Sequence, residues 1–86
     1  MPVTYGVVRW SGILRAGEVL TIDQGRPSTG SINGRFPGQP VTVKLDDAAQ
    51  FDMLEVPSPE NAWKRVRLRN RVGERTQITI LWSEDR

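Results

Sequence analysis

Apolar and polar residues alternate along much of this chain with a period of two, the spacing of extended strands rather than of helices. Between Tyr5 and Leu14 the residues Val8, Trp10 and Leu14 share a parity, which predicts one long strand, or two strands meeting at Gly12. A glycine at that point marks a bulge. Ala16-Gly17-Glu18 predicts a tight turn, and residues 19–23 return with Leu20 and Ile22 on one face and Val19, Thr21 and Asp23 on the other, as a hairpin partner for the first strand.

Residues 24–40 are the least regular stretch, punctuated by Gly25, Pro27, Gly30, Gly34, Pro37, Gly38 and Pro40, with a short strand expected around Ser31 and Ile32. The run Val41-Thr42-Val43-Lys44-Leu45 alternates cleanly, placing the three aliphatic residues inward and Thr42 and Lys44 in water. A turn over residues 46–50 leads to a further strand over residues 51–56, closed by Pro57-Ser58-Pro59-Glu60-Asn61, whose prolines donate nothing to a ladder. Residues 63–71 and 76–82 flank a polar turn at Val72-Gly73-Glu74-Arg75 and predict a last hairpin, with Ile78, Ile80 and Trp82 on one face. Six or seven short strands spaced by turn signals imply an all-β fold, either a small antiparallel sandwich or a partly open barrel.

The chain of 86 residues suits a single domain over residues 1–86 with one core. Eight glycines and six prolines interrupt nearly every window long enough for a helix, which reinforces the strand reading. No fixed-period repeat is evident.

Three segments, Arg9-Trp10-Ser11-Gly12-Ile13-Leu14, the stretch from Pro27 through Gly34-Arg35-Phe36-Pro37-Gly38 to Val41, and Pro57-Ser58-Pro59-Glu60-Asn61-Ala62-Trp63, resemble a short β-rich accessory module of uncharacterised multidomain bacterial proteins. That resemblance implies an appended, non-catalytic module. It supplies no ligand and no active residue.

Composition narrows the chemistry further. The chain has no cysteine and no histidine, which removes disulfides, thiolate catalysis, zinc fingers and the commonest general base. Lysine, tyrosine and carboxylates remain, but nothing in their spacing suggests a nucleophile with its base, so no catalytic residue, metal ligand or cofactor is expected. The apolar runs are too short for a membrane-spanning helix, and Met1-Pro2-Val3-Thr4 lacks the character of a signal peptide; a cytoplasmic location is the default expectation.

Net charge is only +2, yet six of the twelve cations fall between Lys64 and Arg75. In Arg65-Val66-Arg67-Leu68-Arg69-Asn70-Arg71 an arginine holds every second position, which on a strand puts four guanidiniums on one face at intervals of about 6.6–7 Å. That interval is close to the phosphate spacing of an extended nucleic-acid strand, so the stripe is a candidate polyanion track. The simpler account is a solvated strand face whose arginines meet Asp52, Glu55 or Glu74 across neighbouring strands, and a charged subunit contact is a third.

Of the three tryptophans, Trp10 and Trp82 fit a core, while Trp63, beside Lys64 and after the proline-rich turn, is the candidate stacking platform. Arg26 and Arg35 border the loop that holds Gly30, Gly34 and Gly38; successive amides there have the makings of an anion nest, although structural turns are the simpler account. No Lys-Ser or Lys-Thr follows those glycines, so the nucleotide-hydrolysing phosphate loop is excluded. Asp46 and Asp47 are adjacent, and only a turn would bring both onto one ion.

The expected function is therefore a non-catalytic protein-interaction or assembly module, self-associating through edge strands or binding a protein partner. The alternative is nucleic-acid binding through Arg65, Arg67, Arg69 and Arg71 with Arg35 and Trp63. Carbohydrate binding through the tryptophans is a weaker third.

Overall fold

A computed structural model describes residues 5–23 and 26–84. It contains eight strands, β1 (Tyr5–Leu14), β2 (Val19–Asp23), β3 (Arg26–Pro27), β4 (Ser31–Asn33), β5 (Val41–Leu45), β6 (Phe51–Glu55), β7 (Arg65–Asn70) and β8 (Arg75–Glu84), with short 3-10 turns at Ala48–Gln50 and Pro59–Asn61. Two antiparallel four-stranded sheets, in the orders β4-β1-β8-β5 and β3-β2-β7-β6, face one another without closing, so the fold is the sandwich rather than the barrel. Eight strands appear instead of six or seven: the short strand expected around Ser31 and Ile32 is β4, and the same irregular stretch adds the two-residue β3. Gly25 and the N-terminal Met1 to Thr4 lie outside the described residues.

The alternation sets the faces as expected. From the first sheet Val8, Trp10, Leu14, Ile78 and Ile80 point inward, and from the second Leu20, Ile22, Val66, Leu68 and Phe51 meet them in one buried cluster. Phe36, on the loop before β5, joins that cluster and ties the irregular stretch to the core. Burying ten or so such side chains, at about 1.5–3 kcal/mol each, is the main force holding the sheets together. The register shift between Ser11 and Leu14 is the bulge expected at Gly12.

Both expected hairpins are corrected. β2 does not pair with β1: its register partners are β7, with Leu20 opposite Leu68, and β3. Likewise β7 and β8 lie in different sheets, β8 pairing with β1 and β5. The two turns are arches between sheets. Asn70 fastens both: its Nδ2 donates to Leu14 O at 2.9 Å and to Gly73 O at 2.5 Å, while its backbone N–H donates to Glu18 O at 3.0 Å and its carbonyl accepts from Gly17 N at 2.6 Å. Gly17, at φ +85, takes the third position of the turn closed by Glu18 N and Arg15 O, where a side chain would be strained. A fully buried asparagine thus replaces the ladder that a hairpin would have formed.

The strand order reads as a palindrome. The chain leaves the centre through β1 and β2, reaches one side at β3 and β4, crosses to the other side at β5 and β6, and returns to the centre through β7 and β8. As a result β5 and β6 border the same flank of the sandwich.

Candidate functional site

Three surfaces carry chemistry. The first is the outer face of the second sheet, where Arg65, Arg67 and Arg69 alternate with the buried Val66, Leu68 and Asn70, as the sequence pattern requires. Arg65 stands opposite Asp23, and its Nε donates to Asp23 Oδ2 at 3.1 Å while its Nη1 reaches Glu55 Oε2 at 3.5 Å. Arg71 lies one residue past the end of β7, so the stripe has three strand members rather than four; it pairs with Asp52 at 3.6 Å. These pairs are largely exposed and are worth ~0–1 kcal/mol each.

Arg67 and Arg69 make no ion pair among the described residues, although Glu55 and Asp52 stand opposite them on β6. The cross-strand pairing expected from Asp52 and Glu55 is therefore present at the two ends of the stripe. Asp23 adds a partner that alternation alone did not single out, because its strand lies beside β7 rather than beside β1. Glu74 makes no ion pair among the described residues. In the turn between β5 and β6, Asp46 and Asp47 do converge on one cation, the guanidinium of Arg75, at 3.2 and 3.4 Å.

The second surface lies around Trp63. Here the organiser is Asn61, a buried residue that sequence reading missed. Its Oδ1 accepts from Ser58 N and Lys64 N at 3.0 and 3.2 Å, and its Nδ2 donates to Glu55 Oε2, Val56 O and Arg65 O at 2.8, 3.0 and 3.3 Å. The signal in the sequence was the Ser58-Pro59-Glu60-Asn61 order, in which the side chain three residues after a serine closes a capping box. This network holds Ala62 and Trp63 at φ +56 and +62, left-handed conformations that cost roughly 1–2 kcal/mol each for residues with a Cβ. Trp63 is half-buried there, while Trp10 is buried and Trp82 packs at the core's rim.

Next to this turn, Arg35, Phe36, Pro37, Gly38 and Lys64 line a pocket of about 320 Å³. Arg35 thus belongs with Lys64 in this pocket, whereas Arg65, Arg67 and Arg69 occupy the outer face of β7. Gly30, Gly34 and Gly38 all have φ between +73 and +98, the geometry of turns.

The third surface is the flank bordered by β5 and β6. Between them Val43, Lys44, Leu45, Ala48, Phe51, Met53 and Val56 line an open groove of about 570 Å³. Asp46 donates its backbone N–H to Thr79 O at 2.9 Å, one step beyond the Leu45–Ile80 register. Because ladder bonds fall on every second residue, Thr42 and Lys44 bond toward β8, and the backbone groups of Val41, Val43 and Leu45 point away from it. The other edges differ: β3 has two residues including Pro27, β4 has three, and β6 carries a register shift between Met53 and Glu55. Short strands, prolines, bulges and edge lysines blunt an edge, and of these β5 carries only Lys44. Its five residues are free of proline and of any register shift.

Among the described residues no group of three or more carboxylates is placed to hold a metal ion, and no helix is long and apolar enough to cross a membrane. Comparison with protein-family models, curated proteins and solved structures found no match to this chain.

Proposed function

We propose that this domain is a non-catalytic assembly module that self-associates by pairing β5 with β5 of a second copy. The observation that carries this reading is the contrast among the four sheet edges: among the described residues, β5 alone combines an unshifted register, no proline and a largely apolar bordering groove. An unpaired edge of that kind is a template for a further strand.

The strand is self-complementary about Val43. A two-fold axis there sets Val43 against its own copy, Val41 against Leu45, and Lys44, the one charged residue of β5, against Thr42. Like charges do not meet. The outward backbone groups of Val41, Val43 and Leu45 then bond to their counterparts, and the first sheet continues across the axis. Val56, 45 % exposed in the groove, gains cover as the copies approach. A contact of this size falls at the weak end of specific interfaces, with dissociation in the range of about 1 µM to 1 mM.

The arginine face supports the competing polyanion reading less well, since carboxylates already engage Arg65 and Arg71. Sedimentation equilibrium over that concentration range tests the proposal. The mass should rise from monomer to dimer, and Val43→Pro, which removes an outward N–H but no bond to β8, should hold the protein monomeric with its near-ultraviolet dichroism intact. A wild-type chain that stays monomeric up to about 1 mM rejects it.

A further inference from the structure

The geometry points to a small-oxyanion site in the pocket between Arg35 and Lys64, separate from the β5 edge and independent of it. The two cations come from segments far apart in sequence, and among the described residues no carboxylate lines the cavity they share. Among the described residues neither Arg35 nor Lys64 forms an ion pair, which is also true of Arg67 and Arg69; what sets these two apart is that they line one pocket together.

Their convergence is built in from both sides. Phe36 is 5 % exposed and anchors the first segment in the core, which fixes the backbone on which Arg35 sits. Gly38, at φ +74, brings that loop against Lys64: a Cβ placed there would lie 3.4 Å from Lys64 Cε. On the other side Asn61 holds the turn, and its Oδ1 accepts the Lys64 backbone N–H, so the strained pair Ala62 and Trp63 delivers Lys64 to the cavity. Backbone strain of this kind persists only where surrounding bonds over-determine it.

The chemistry follows from the two side chains. Arginine's planar fork takes two oxygens of a phosphate or carboxylate, and lysine adds a point charge. About 320 Å³ is at the small end of ligand pockets, enough for a phosphate or carboxylate group with a modest organic body against Phe36 and Pro37. The anion would offset the mutual repulsion of two unneutralised cations.

The test is a proton–nitrogen NMR titration of the whole chain at low salt, with inorganic phosphate in one arm and acetate in the other. Saturable shifts confined to the amides of residues 35, 36, 38 and 62–64, with a dissociation constant of about 1 mM or below in either arm, are expected. Arg35→Gln and Lys64→Gln should each weaken binding by about tenfold, and Arg67→Gln should leave it unchanged. Phosphate saturating first identifies a phosphate-bearing ligand, and acetate saturating first a carboxylate. Linear shifts spread over every arginine, or saturable shifts indifferent to both pocket variants, overturn the proposal. The substituted side chains lie at the surface, and each variant's own spectrum reports whether it folds.

Discussion

Trp82 lays its indole over Gly6: the two stand opposite each other in the β1/β8 ladder, and a Cβ on Gly6 would fall inside the ring's Cε2 and Cζ2 atoms. The ring is rigid and packs against the core, so the added methyl has to displace it. Gly6→Ala should therefore lower stability by about 1–3 kcal/mol, the usual cost of overpacking. Urea unfolding followed by tryptophan fluorescence measures this, and an unchanged midpoint would mean that the indole does not sit there.

The turn before β7 makes a prediction of opposite sign. Ala62 carries a Cβ at φ +56, and glycine there removes the left-handed penalty while adding freedom to the unfolded chain. With about 1–2 kcal/mol relieved against about 0.4–1 kcal/mol lost, Ala62→Gly should stabilise by up to about 1.6 kcal/mol. Asn61→Ala should do the reverse, by about 2–4 kcal/mol, because its five bonds hold buried or half-buried groups. Thermal unfolding of the two variants in one buffer settles both signs.

For the arginine face the number of uncommitted charges decides. Two guanidiniums, Arg67 and Arg69, are free of ion pairs among the described residues, and two phosphate contacts predict a salt slope of about −1.8 on duplex DNA. Binding should then fall by about tenfold between 50 and 200 mM salt from an already weak value. Fluorescence anisotropy with single- and double-stranded oligonucleotides checks this. A slope near −4 that Arg67→Glu and Arg69→Glu each reduce would show the whole stripe at work and favour the polyanion reading.

How much of this was legible follows from what alternation encodes. Parity fixes which side of a strand is dry, and so Val41, Val43 and Leu45, Ile78 and Ile80, and the outward set Arg65, Arg67 and Arg69 all fall on the side their spacing requires. Parity carries no information about which sheet a strand joins. A hairpin and an arch use the same polar turn and bury the same faces, so the turns after β1 and β7 read as hairpins until Asn70 is seen bonding to Leu14, Glu18, Gly17 and Gly73. The pocket was hidden for a related reason. Arg35 and Lys64 meet only through the packing of two irregular segments, which have no period to read. The open edge was foreseen as a class of feature, but its location depended on the strand order.

Hydrogen exchange at single-amide resolution, repeated from about 10 µM to 1 mM protein, probes the β5 edge most directly. If β5 pairs with its copy, the amides of Val43 and Leu45, which face away from β8, slow as concentration rises, while those of Thr42 and Lys44 keep one rate throughout. Val43 and Leu45 amides that exchange equally fast at both ends of the range would contradict assembly through this edge.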